Sequence, residues 1–126
     1  MGTVRNEMTI VHSWDKNKLE KVREDAIKVF SKVIRRVAGV EEYSAFMIVI
    51  DNMISPIMNT YVNDEYTFVI NGDCSKIGWE VSKQFHEARM EWCEKHKNDV
   101  QNITVINFGE NGSCYIVFDN TPESEK

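Results

Sequence analysis

Proline occurs only twice in the 126 residues, at Pro56 and Pro122, and cysteine only three times. With 28% charged and 42% hydrophobic residues, so little proline excludes a Pro-rich linker or a disordered chain and points to one domain with one core. The longest apolar run is Phe46–Ile50, far short of a membrane-spanning helix. Cys74, Cys93 and Cys114 are odd in number, far apart and form no CxxC pair. That argues against a disulfide framework and for a reducing compartment. The opening residues Met1–Asn6 have no apolar run of the signal-peptide kind, and Asn6 stands where a myristoylation signal needs Ser or Thr. A cytoplasmic location with no membrane association is the expectation. No Walker pattern with four residues between Gly and Gly-Lys is present.

The net charge of −5 is unevenly placed. Residues 1–63 carry 9 basic and 8 acidic groups, and residues 64–126 carry 6 basic and 12 acidic groups. An acidic second half is a poor surface for nucleic acid, which is not expected as a partner.

What is present is strong periodicity. Glu7–His12 reads as a strand, with Met8, Ile10 and His12 alternating against Thr9 and Val11. A helix follows from Ser13 or Asp15, its stripe formed by Leu19, Val22, Ala26, Phe30, Val33 and Val37. Arg35 and Arg36 suit its last turn, and Gly39 suits the residue after it. Tyr43–Ile50, Ile57–Val62 and Tyr66–Ile70 read as strands, with a turn at Asn63-Asp64-Glu65. A second helix spans Ser82–Lys97, with Val81, Phe85, Ala88 and Trp92 on one stripe. Ile103–Phe108 and Tyr115–Phe118 then form a hairpin turned at Asn111-Gly112. Only the tail, residues 120–126, reads as frayed. The order β-α-β-β-β-α-β-β predicts a single α+β domain with a mostly antiparallel sheet and two helices on one face, of the ferredoxin-like kind.

The run Asn6-Glu7-Met8-Thr9-Ile10-Val11 resembles the opening Asn-x-Leu-Thr-Ile strand of small plasmid- and phage-borne YubB-type ferredoxin-like proteins. Trp79, Phe85, Trp92 and Phe108-Gly109-Glu110-Asn111-Gly112 are similar to the Trp-bearing turn, helix and hairpin that follow in that group. Ser75-Lys76-Ile77-Gly78-Trp79 resembles a Gly-Ser-Lys-x-Gly-Trp motif of uncharacterised phage proteins. The resemblance implies a mobile-element origin and a host-cell cytoplasm. It supplies neither an activity nor catalytic residues.

The candidate chemistry is thin. The polar loop Asn71–Gly78 joins a strand to a helix. Asn71, Gly72, Asp73, Ser75 and Lys76 there are candidates for a phosphate-bearing small ligand, such as a nucleotide. The plain alternative is a turn in which Gly72 takes an unusual φ and Asp73 or Ser75 caps the backbone. Cys74 beside Lys76 is a candidate thiol nucleophile if one of His12, His86 or His96 lies near it. His86, Cys93 and His96 lie along one side of the second helix, but ordinary packing explains them and no metal or other cofactor is called for. Asp73, Glu80, Glu87 and Glu91 need no acid–base role, since Glu87 and Glu91 take the solvent face. The first helix has a basic outer face of Lys18, Lys21, Lys28, Lys32, Arg35 and Arg36, with no aromatic residue interleaved. Lys28, Lys32 and Trp79 are therefore candidates for contact with a protein partner. The expectation is a binding protein rather than an enzyme, directed at a host defence or regulatory protein, with a homodimer through exposed sheet edges as a further expectation. A phosphate-ligand binder and a small thiol enzyme are the alternatives.

Overall fold

A computed structural model describes residues 4–38, 43–109 and 114–121. The elements are β1 (Glu7–Ser13), α1 (Lys16–Ala38), α2 (Tyr43–Met53), β2 (Met58–Asn59), β3 (Tyr66–Ile70), α3 (Glu80–His96), β4 (Asn102–Asn107) and β5 (Tyr115–Asp119). They form an α+β architecture around one five-stranded sheet, ordered β2-β3-β1-β4-β5 and antiparallel at every pairing.

β1 lies at the centre, with Val11 opposite Phe68 of β3 and Ile103 of β4. Its alternation puts Glu7, Thr9, Val11 and Ser13 under the helices and leaves Met8, Ile10 and His12 half-buried on the other face. Asp15 starts α1: its Oδ1 accepts from Lys18 N–H at 3.2 Å, and Ser13 Oγ accepts from Asp15 N–H at 3.0 Å. The expected stripe of α1 is the buried one, with Leu19, Val22, Ala26, Phe30 and Val33 all in the core. α3 lies antiparallel to α1, since Arg36 bonds Gln84 near one end and Asp25 bonds Lys95 near the other.

Among the described residues the helices number three rather than two, because Tyr43–Ile50 is helical and not a strand. A short apolar run fits a buried strand or a buried helix equally well, and packing decides. In α2, Ile50 and Met53 enter the core three residues apart, while Ile48 and Val49 remain exposed, a helical spacing that a strand cannot present. The expected strand over Ile57–Val62 shrinks to two residues at the sheet edge. Ile54 bridges Ile70, and pairing resumes at Met58 with Thr67 after one extra residue. Pro56, which has no N–H, sits in that bulge, and Ser55 before it pairs with Val69, donating its N–H to Val69 O and accepting from Val69 N–H at its hydroxyl. Tyr61 and Val62 then point to solvent, and the chain reverses at Asn63 and Asp64, both with positive φ.

The expected Asn111-Gly112 turn, the Gly39 helix end and residues 122–126 of the tail lie outside the described residues. Asn120 is tied down: its Oδ1 accepts from Ile103 N–H, and its Nδ2 donates to Lys97 O. No helix among the described residues is long and apolar enough to cross a membrane.

Candidate ligand-binding cleft

The loop after β3 is held by the end of α2 and by the residues before β1. Asn71 N–H donates to Met53 O, and Arg5 N–H donates to Ser75 O. Gly72 crosses β1 so closely that a Cβ there would lie 2.8 Å from the Glu7 carbonyl oxygen, so glycine is required by contact. Cys74 takes a positive φ of 56°, and Gly78 takes 103° before Trp79 caps α3.

Beneath the loop lies a polar network that sequence reasoning missed. Arg89 is 1% exposed. It donates to Thr9 Oγ1 at 2.6 Å, to Ile70 O at 3.1 Å and to Asn71 O at 2.6 Å. Glu7, also buried, is its counter-charge at 3.9 Å from Nε, and accepts from His86 Nδ1 at 2.7 Å and from Arg5 Nη1 at 3.1 Å. Arg5 Nε completes the set by donating to the buried Ser82 hydroxyl. Burial lowers the Arg89 guanidinium below its ordinary value, and the Glu7 charge opposes that shift. Among the described residues no buried side-chain nitrogen or oxygen lacks a partner. A network this fully satisfied orders the loop backbone. Two signals in the sequence mark it: Glu7 shares the alternation of Thr9 and Val11, and Arg89 sits beside Ala88 on the stripe of Phe85 and Trp92.

Above the network, the end of α1, the end of α2, the start of α3 and the loop enclose a cleft of about 490 Å³. Its wall is mainly apolar: Ile34, Val37, Val49, Met53, Val81 and Phe85. The polar lining is Asn52, Gly72, Asp73 and Ser75. Ser75 donates its hydroxyl to Asp73 Oδ2. Two smaller clefts, bordered by Lys18, Asn98 and Asp99, lie at the opposite end of the helical layer.

Of the loop residues expected to hold a ligand, Gly72, Asp73 and Ser75 line the cleft. Asn71 is exposed and contributes its carbonyl to Arg89. Lys76 turns away, its ammonium 5.7 Å from the centre of the exposed Trp79 ring. Lys28 and Lys32 are exposed along the middle of α1. Trp79 immediately precedes α3 and is also exposed. The three tryptophans divide as their positions suggest, with Trp14 and Trp79 exposed and Trp92 in the core.

None of the three imidazoles is paired with a thiol. His86 faces Glu7, His12 faces Glu65 and Thr67, and His96 lies between Asp25 and Asp99. The exposed Cys74 thiol donates to Asn6 Oδ1 at 3.3 Å. Cys93 is fully buried, and desolvation pushes its thiol up to about 12. Among the described residues no three His, Cys, Asp or Glu side chains group to hold a metal ion. Compared with protein-family models, with the curated proteins and with the solved structures, the chain matches none.

Proposed function

We propose that the protein acts by binding a small, largely apolar molecule in the cleft between α1, α2, α3 and the Asn71–Gly78 loop. The cleft itself carries this reading. A concave, mainly apolar site with a few convergent polar groups on a rigid support is the usual form of a small-molecule site. Its volume lies within the range of such sites, and its polar side rests on a backbone that Arg89 and Glu7 hold from below. The absence of a thiol–imidazole pair among the described residues favours binding over a thiol-dependent reaction. The strand order, in which each of two β-α-β crossings spans a strand of the other, supports a ferredoxin-like lineage extended by α2 and β5.

A second reading is capture of a protein partner, for which Lys28, Lys32 and Trp79 remain the proposed contacts and a host protein met by a mobile element the proposed target. It is favoured by the sheet face opposite the helices. Met8, Ile10, Val69 and Ile106 lie half-buried there, and Ile116 is exposed at the edge. A homodimer through that face or edge belongs to the same reading.

Native mass spectrometry separates the two. Small-molecule binding predicts a co-purified mass of a few hundred daltons, or saturable uptake of the neutral apolar dye Nile red. Either is lost in Val81→Trp, which fills the cleft while the fold is kept. A protein that carries nothing and takes up no dye, yet arrives with a second chain, would replace the first reading by the second.

A further inference from the structure

We infer that the cleft selects ligands with a cationic, hydrogen-bond-donating head, such as an ammonium or amidinium on an apolar body, and discriminates against anionic heads, phosphate included. This rests on the cleft being a small-molecule site, and it adds the chemistry of the ligand.

The argument is the charge inventory of the walls. Asp73 is the sole charged side chain among the described residues that line the cleft. Its Oδ2 accepts from Ser75, and no described residue donates to its Oδ1. Ser75 has given its proton to Asp73, so the remaining lone pairs of both groups are acceptors. Asn52 is the other polar side chain of the lining.

Three cations near the cleft have their partners elsewhere, and none of them lines it. The Lys76 ammonium lies over Trp79. The Arg89 guanidinium lies below the loop with its bonds directed to Thr9, Ile70 and Asn71; its charge faces Glu7 first and Asp73 only more weakly, without a hydrogen bond to that carboxylate. Arg36 donates to Gln84 on the outside of α3. An anion entering the cleft would meet a carboxylate in apolar surroundings, where repulsion is poorly screened. An ammonium would gain a charge-assisted hydrogen bond while its hydrocarbon body covered Val81, Phe85, Met53 and Ile34.

The test uses three probes with one hydrocarbon chain, decylammonium, decanol and decanoate, titrated into the full chain by calorimetry below their micelle concentrations. Decylammonium is expected to bind about tenfold or more tighter than decanoate. In Asp73→Asn that preference disappears. The variant also controls for the general attraction of cations to an acidic protein, because a preference arising from the net charge of −5 would survive the loss of one carboxylate. Thermal unfolding of the variant verifies that the loop support is intact. Equal or tighter binding of decanoate, or a preference unchanged in Asp73→Asn, overturns the charge inference and leaves the cleft as a site. Failure of all three probes to bind removes both.

Discussion

The two ends of the α1–α3 pair are built differently. At the end carrying Trp92, apolar packing continues through the last turns of α3, and only the two smaller clefts lie outside it. Trp92 meets the Phe68 ring edge-on at 6.4 Å, its Nε1 donates to Val22 O, and His96 stands 5.2 Å from the indole. His96 is held between Asp25 at 2.6 Å and Asp99 at 2.7 Å. At the end carrying Phe85, packing stops one turn early. Phe85 stacks on Phe30 at 6.3 Å, and beyond it the walls part into the cleft. There the helices are supported from the sheet side by the Glu7–Arg89 network. Sealing one end by packing lets the other remain concave without loss of order, the usual condition for a preformed site.

The largest test breaks the support of the open end. Arg89→Met removes three hydrogen bonds, strips the buried Thr9 hydroxyl and Ile70 carbonyl of that donor and leaves Glu7 without its buried counter-charge. Breaking a buried pair in this way costs about 3–5 kcal/mol, measurable as a lower midpoint in urea unfolding. If the variant still folds, dye uptake by the cleft is lost while the near-ultraviolet signal of Trp92 persists. A cost below about 1 kcal/mol would show that the network is not what holds this end.

A smaller effect is expected from unsealing the other end. Burial alone would raise the Asp25 pKa, but the hydrogen bonds from His96 and Lys95 outweigh it and leave the carboxyl below its usual 3.8. A group depressed on folding contributes stability that is present above its unfolded value and is lost as pH falls from about 3.8 toward the lower folded value. Asp25→Asn should cost about 1–2 kcal/mol at neutral pH, allowing for partial exposure, and should flatten the decline in stability below pH 4. An unfolding curve in which wild type and variant decline in parallel through that window would remove Asp25 from the seal. Cleft binding is expected to be unchanged.

The packed end was largely legible in the sequence, and the open end was not. Leu19 to Val37 and Phe85 to Trp92 repeat at helical spacing, and the packed end obeys that repeat. Tyr66–Ile70 is a strand with the bounds its composition suggests. The cleft depends instead on α2, whose Phe46–Ile50 run carries no period of its own and becomes helical because Ile50 and Met53 find the core together. It also depends on two charged residues at core-facing positions, Glu7 and Arg89, where local pattern rules predict apolar side chains. The walls come from residues 34 to 85, brought together by tertiary packing, which no local window displays. Lys76 illustrates the same limit: proximity in sequence to Asp73 and Ser75 suggested a cation in the site, but the turn at Gly78 lays it on Trp79.

The gentlest probe changes no residue, because each end already carries a thiol. Cys74 stands exposed in the loop of the open end, and Cys93 is fully buried in the packed half of α3 between Arg89 and His96. Alkylation requires the thiolate. With burial and a pKa pushed up to about 12, Cys93 can react only after α3 opens. In native protein at mildly alkaline pH, iodoacetamide should therefore modify Cys74 and Cys114 fully while Cys93 lags by orders of magnitude, with peptide mass spectrometry assigning the sites. The lag measures how rarely the packed end opens. Adding Nile red should slow Cys74 little and Cys93 further, since an occupied cleft stabilises the whole helical layer by mass action. Comparable rates at Cys74 and Cys93 would mean that the packed end opens as readily as the loop, and the contrast between the two ends would dissolve.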